Sequence, residues 1–270
     1  MLNLDIKPGE TVVVTGCNGF IGSSVANEFL LRGYTVRGTV RSATRCAWLL
    51  DHFAARHGGG RFSLVEIPDL TDAASYGPAL ASASALLVTT SAADFTQTDP
   101  DAHIPLAVAQ TLAPLAAATA APTIKSVVLT GSGWAVSEPQ ACPPSSDDDA
   151  TPPPTLDQFT WNDAAVAAAH APSYADAAAR GRAVFVASMV EKERAAWAWV
   201  RARAPRWRFN VVLVATVFGA IPCAARQGTP SSARFPAALL AGGEEAAAAA
   251  RRRIFFAMFN FSTGRRMIIS

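Results

Sequence analysis

TVVVTGCNGFIGSSVANEFLLRGYTVRGTVRS, residues 11–42, carries in one run the pattern of a strand, a glycine-spaced turn, a helix and a second strand. Four β-branched residues, Thr11 to Val14, suit a strand buried on both faces, as in a parallel sheet. Gly16, Gly19 and Gly22 follow three apart. A missing Cβ at these places permits a tight turn, close approach of backbone to a pyrophosphate, and close packing of helix on strand. The helix beginning there, with Val25, Phe29 and Leu30 inward, aims its free amides and the positive end of its dipole at bound phosphates. A glycine triplet alone is a weak signal; between a credible strand and a credible helix it predicts a dinucleotide-binding turn. Asn18, Phe20 and Ile21 complete the predicted cofactor contact.

The second strand, Tyr34 to Val40, ends at Arg41, with Arg45 one turn further on. An acid at this point would accept hydrogen bonds from a free ribose 2′-OH, whereas arginine can clamp a 2′-phosphate bidentately. NADP(H) is therefore the expected cofactor; solvated helix-cap charges are the competing account of the two arginines.

Beyond this unit the strand and helix signals keep alternating. A helix is expected over Thr44–Arg56, strands over Arg61–Ile67, Leu86–Thr90, Lys125–Thr130 and Arg208–Thr216, and long helices over His103–Thr119 and Arg180–Arg203. That rhythm predicts an α/β, Rossmann-type doubly wound parallel sheet with helices on both faces. Residues 1–220 form the predicted dinucleotide-binding domain. It is interrupted at 137–160 by a surface loop whose centre, PPSSDDDATPPP, can be neither helix nor strand. Residues 221–270 read as a small, incomplete C-terminal substrate lobe followed by an atypical tail. The alanine block at 242–253 and the aromatic run IFFAMFNF have no functional reading; a packed terminal helix and a truncated or misread gene are the two accounts of them.

Composition narrows the function classes. The 270 residues are 50% hydrophobic and 16% charged with a net charge of +2, which gives no electrostatic case for nucleic acid or an anionic membrane. No window reaches the 18 or so apolar residues of a membrane span, and MLNLDIKPGE lacks the basic start and apolar run of a signal peptide. Four separated cysteines with no CxxC indicate neither a disulfide scaffold nor a zinc site, and a reducing cytoplasm is the expected location. His52, His57, His103 and His170 have no partners at ligand spacing and are expected on the surface or in loops. Trp197 and Trp199, two apart on a helix, cannot share a face, so Trp197 is expected inward and Trp199 partly outward. Trp134 is expected either to line a substrate pocket or to cover the sheet edge.

The motifs together resemble the extended short-chain dehydrogenase/reductases of the epimerase/dehydratase superfamily, in the branch of dihydroflavonol reductase, cinnamoyl-CoA reductase and the fungal aldehyde and ketone reductases. VTGCNGFIGS is similar to the family's glycine motif, RGYTVRGTVRS to its NADP-selecting strand, and Pro68-Asp69-Leu70 to its adenine-contacting Asp-Leu. DPDAHIPLAV, KSVVLTGSGWAV, FTWND and SMVEKERAAWAWV follow in the family's order, and the resemblance covers about residues 8–240. It implies NADPH-dependent reduction of a small or medium aldehyde or ketone, and a cofactor contact at Thr89.

The resemblance also implies a catalytic serine and a Tyr-x-x-x-Lys pair. Tyrosine gives a proton to the alkoxide that hydride transfer leaves behind, and lysine lowers the phenol's pKa from about 10. The serine is matched by Ser132. The pair is matched by Phe185 and Met189, with the register held by Ser188 and by Glu191 to Trp197, and Tyr174 offers no substitute because Ala178 lies four residues on. Val214 stands where the family has a proline near the nicotinamide. Two outcomes follow from these departures: a reductase with weak or absent turnover in which Ser132 polarises the carbonyl, or a noncatalytic NADP(H)-binding sensor or scaffold.

Overall fold

The structure is a computed structural model describing residues 5–90, 94–137, 156–157 and 159–241. The proline-rich and acidic stretch and the alanine-rich and aromatic tail therefore lie outside the described residues. Six parallel strands, β1 (Thr11–Val14), β2 (Thr35–Val40), β3 (Phe62–Glu66), β4 (Ala85–Val88), β5 (Ser126–Ser132) and β6 (Arg208–Val214), form one sheet in the order β3-β2-β1-β4-β5-β6. The register runs Val12↔Val36 on one side of β1 and Val12↔Ala85 on the other. This is the doubly wound order in which the chain reverses direction across the sheet between β1 and β4, leaving a crevice at their carboxyl ends.

Helices α1 (Phe20–Leu31), α2 (Ala43–Cys46) and α3 (Trp48–His57) lie in the first half, with α4 (Gly77–Leu80) before β4. Helices α5 (Pro100–Ala120), α6 (Asp163–Ala169) and α7 (Ala177–Arg203) lie in the second, with α8 (Ala224–Gln227) and α9 (Arg234–Leu240) after β6. The central strand supplies both cores: Val12 and Val14 join Leu30, Leu49 and Phe53 on one face, and Val13 joins Leu86, Leu115 and Leu129 on the other. Two-sided burial explains why β1 reads as an unbroken apolar run.

The expected elements are all present, with shifted ends. The helix expected over residues 44–56 is two helices meeting at Ala47. The fourth strand stops at Val88 because the amides of Thr89 and Thr90 turn to the Thr15 hydroxyl, at 3.0 and 3.1 Å, and leave the ladder. Helix α5 begins at Pro100, capped by the Asp99 carboxylate, and runs on through Pro105 and Pro114. One surface expectation fails: His103 is 4% exposed, and lines a cavity with Asp94, Gln97 and Leu106. Trp199 is partly exposed, as expected, and stacks on Trp207 at 6.3 Å; Trp197, expected inward, is also only half-buried and meets Phe209 edge-on at 4.7 Å.

Candidate functional site

The crevice between β1 and β4 is lined by the glycine turn. Gly16 has φ +60°, a conformation L side chains rarely adopt, and a Cβ there would lie 2.8 Å from Thr90 Cγ2. At Gly22 a Cβ would lie 2.4 Å from the Gly16 carbonyl oxygen and 3.0 Å from Thr89 Oγ1, so only glycine lets α1 sit this close to the turn. At Gly19, the residue preceding α1, a Cβ would meet the Gly16 carbonyl oxygen at 3.2 Å and no other atom within 4 Å. Asn18 and Gly19 are exposed, Phe20 is buried and Ile21 half-buried. No side chain caps α1.

Thr15, which the motif reading passes over, is the hub. Fully buried, its hydroxyl accepts from the amides of Thr89 and Thr90 and lies 3.1 Å from Thr90 Oγ1, while its carbonyl accepts from the Thr89 hydroxyl. These bonds join the ends of β1 and β4 and fix the crevice. Cys17, next in the turn, is fully buried, and desolvation pushes its thiol far above the ordinary range, so it is a packing residue and no nucleophile.

At the end of β2 the backbone turns into α2. Ser42 caps that helix, and the Glu66 carboxylate accepts from the Ala43 amide at 2.6 Å. Arg41 and Arg45 are both exposed around this turn, close enough together to act on the same Cys46 thiol. Asp69 is exposed; its carboxylate accepts from the amide and hydroxyl of Thr71, at 2.8 and 2.7 Å, and these bonds hold it below the usual carboxylate range. Leu70 is half-buried against the core.

A second group of residues meets beyond β5. Ser132 ends that strand, and its hydroxyl oxygen accepts from the Trp134 amide at 3.2 Å. The Trp134 ring stands edge-on to Phe185, centroids 5.8 Å apart, and Phe95 packs on Phe185 at 4.2 Å. Phe185 and Met189 are 8% and 3% exposed and share an apolar cluster with Ala135, Val186 and Val190. The structure thus brings Ser132, Phe185 and Met189 into one neighbourhood through Trp134. Phe95 was not anticipated. Its loop lies against α7 because Gly181 has no side chain, a Cβ there falling 1.9 Å from the Phe95 carbonyl oxygen, and because Arg180 Nε donates to the Thr98 carbonyl at 2.7 Å.

One turn beyond Met189, Lys192 and Glu193 are 1% and 0% exposed. Burial pushes the Lys192 ammonium down to about 8, with Glu193 opposing. Gly131 leaves room for Glu193, whose Oε2 would lie 3.3 Å from a Cβ there. Among the described residues there is no group of three His, Cys, Asp or Glu side chains that could hold a metal ion, and no helix is long and apolar enough to cross a membrane.

Fold, switch-point topology and glycine turn define an α/β protein of the doubly wound, Rossmann type. The model of the NAD dependent epimerase/dehydratase family matches residues 12–161, and the chain belongs to that family. Ketoreductase adrE of Penicillium rubens is 33% identical over 223 residues, covering 80% of this chain and 59% of the relative. Aldehyde reductase 2 of Sporidiobolus salmonicolor is 31% identical over 219 residues, covering 81% and 61%. The chain thus spans about three fifths of the length of these relatives. Among solved structures, Gre2 of Candida albicans in complex with NADPH superposes with a TM-score of 0.68 at 24% identity, over 85% of this chain and 65% of that one, a likeness of fold.

Proposed function

We propose that this chain binds NADP(H) and belongs functionally with the carbonyl reductases, with slow turnover of an aldehyde or ketone. The observation that carries the cofactor half is the crevice itself: Gly16 and Gly22 sit where any Cβ would collide with backbone or with Thr90. Phe20, Ile21 and Gly22 would present amides to the pyrophosphate, Asn18 and Gly19 would flank it, and Arg41 and Arg45 would hold the 2′-phosphate. Asp69 and Leu70 would border the adenine, and Thr89 the crevice floor. In this reading residues 1–220 are the dinucleotide-binding domain, and the chain past residue 221 is part of a substrate lobe.

NADPH, when bound, would supply a hydride to a substrate carbonyl carbon. Ser132 would donate its hydroxyl proton in a hydrogen bond to the carbonyl oxygen, favouring the negative charge that develops there. The alkoxide then takes a proton from water, because Phe185 has none to give and Met189 brings no cation. Loss of a general acid costs about 10²- to 10⁴-fold in rate. The buried ring of Phe185, wedged between Phe95 and Trp134, favours one second reading, a noncatalytic NADP(H)-binding protein.

The deciding experiment couples NADPH binding, followed by nicotinamide fluorescence, with NADPH consumption on a carbonyl panel. It compares the natural chain, Ser132→Ala and the double variant Phe185→Tyr/Met189→Lys. Binding, weak turnover lost in Ser132→Ala, and a gain of about 10²-fold or more in the double variant are expected. Binding with no turnover in any form supports the second reading; absence of binding overturns both.

A further inference from the structure

The segment after β6 returns across the molecule to the glycine turn. From Val217 to Ser232 it closes on itself, the Ser232 hydroxyl donating to the Val217 carbonyl. It reaches the turn through the Gln227 side chain. Gln227 Nε2 lies 3.2 Å from the carbonyl oxygen of Asn18, 3.2 Å from that of Gly19 and 2.9 Å from Ser23 Oγ. The orientation of the carboxamide is fixed from behind: the Cys223 amide donates to Gln227 Oε1 at 3.0 Å, so the oxygen faces Cys223 and both hydrogens face the turn. Ser23 is itself committed inward, its hydroxyl donating to the Gly19 carbonyl at 2.7 Å.

Asn18 and Gly19 belong to the stretch that the proposed function sets against the pyrophosphate. We infer that Gln227 is a positioning residue that latches the 217–232 strap onto the dinucleotide turn, so that cofactor binding and strap closure reinforce each other. The inference rests on the NADP(H) reading. Gln227 orients the Asn18–Gly19 peptide and the first turn of α1 from the carbonyl side, opposite to the amides that meet phosphate. A strap held shut lowers the mobility of that turn, and a turn ordered by ligand presents its carbonyls in register for the carboxamide; the coupling is reciprocal.

The test compares Gln227→Ala and Gln227→Glu with the natural chain by hydrogen exchange, with and without NADPH, and by NADPH titration. Glutamate keeps the length but turns acceptors toward acceptors and adds a negative charge beside the phosphate site. NADPH is expected to slow exchange in both 15–23 and 217–232 of the natural chain. In the variants protection of 15–23 persists while that of 217–232 is lost, and the NADPH Kd rises about tenfold in Gln227→Ala and further in Gln227→Glu. A Kd unchanged in both variants, or a strap whose exchange ignores NADPH in the natural chain, overturns the inference. Failure of the natural chain to bind NADPH overturns the proposed function instead. The ligand-free comparison then still reads the latch, through faster strap exchange in Gln227→Ala.

Discussion

Gly19→Ala and Gly22→Ala place the same methyl group three residues apart, and the structure assigns them separate effects, one on affinity and one on stability. At Gly22 the new carbon would sit 2.4 Å from the carbonyl oxygen and 2.9 Å from the carbonyl carbon of Gly16. Both are backbone atoms, so relief requires α1 to move off the turn rather than a rotamer change. Such overpacking costs about 1–3 kcal/mol. Alanine recovers about 0.5–1 kcal/mol over glycine within a helix, which from the middle of that range, about 2 kcal/mol, leaves a net loss of about 1–1.5 kcal/mol. For a chain of this size that lowers Tm by roughly 2–6 °C. At Gly19 the backbone is extended, φ −81° and ψ 169°, and the methyl meets one oxygen at 3.2 Å. A weaker N-cap costs about 0.5–1 kcal/mol, and the stiffer unfolded chain returns about 0.4–1 kcal/mol, so stability stays near that of the natural chain. The methyl nevertheless occupies the approach to the turn, and NADPH affinity should fall at least tenfold. Thermal unfolding by circular dichroism and NADPH titration by fluorescence read the two effects separately. An undiminished Tm in Gly22→Ala refutes the packing argument, and natural NADPH affinity in Gly19→Ala refutes the position assigned to the pyrophosphate.

Arg41→Ala combined with Arg45→Ala should weaken NADPH binding about 10- to 100-fold, the worth of one or two charge-assisted hydrogen bonds, and leave NADH binding unchanged; equal loss for both cofactors refutes the 2′-phosphate assignment. Lys192 gives a pH dependence. The unfolded chain keeps this proton to about pH 10.5 and the folded chain releases it near 8, so unfolding takes up a proton in that window and this group's contribution to stability rises with pH there. Chemical denaturation of the natural chain against Lys192→Met/Glu193→Gln should show the difference shifting toward the natural chain from pH 8 to 10.5, and a flat difference refutes it. Gly181→Ala should cost about 1–3 kcal/mol and change Trp134 emission, because its methyl, 1.9 Å from the Phe95 carbonyl oxygen, pushes that loop off α7; unchanged Tm and emission refute the anchoring role.

The cofactor half is legible in sequence because its requirements are local: β-branched residues, glycines three apart and a helix follow one another within a single βαβ unit. The same locality hides Thr15. A threonine ending a strand is an ordinary β-former, and its role appears only when β4, some 70 residues on, arrives beside it. Gln227 is hidden more deeply, since its three acceptors lie more than 200 residues away. Phe95 and Gly181 are legible only as a pair, one backbone carbonyl against one absent side chain. Nothing in VEKERAAW separates the buried Lys192 and Glu193 from the more accessible Glu191 and Arg194. A lone histidine without a periodic partner reads as a surface or loop residue, yet His103 in the first turn of α5 is buried.

The two ends of the site differ in what they ask of the chain. The crevice depends on absent atoms and on backbone geometry, so its features cannot drift without moving α1 or splitting β1 from β4. In the proposed reading the chemical end would depend on one phenol and one ammonium, neither of which the fold needs. Phe185 keeps the ring that packs against Phe95 and Trp134, and Met189 keeps the length that fills the cluster with Val186 and Val190. Phe185→Tyr alone would put a hydroxyl among apolar rings without the cation that lowers its pKa, and Met189→Lys alone would place a charge in that cluster without its phenol. Each single replacement should therefore cost stability and gain little rate, and the gain should appear only in the pair. Rates for the double variant no greater than the product of the two singles would show that the residues do not act as a unit, and would overturn the role proposed for the pair.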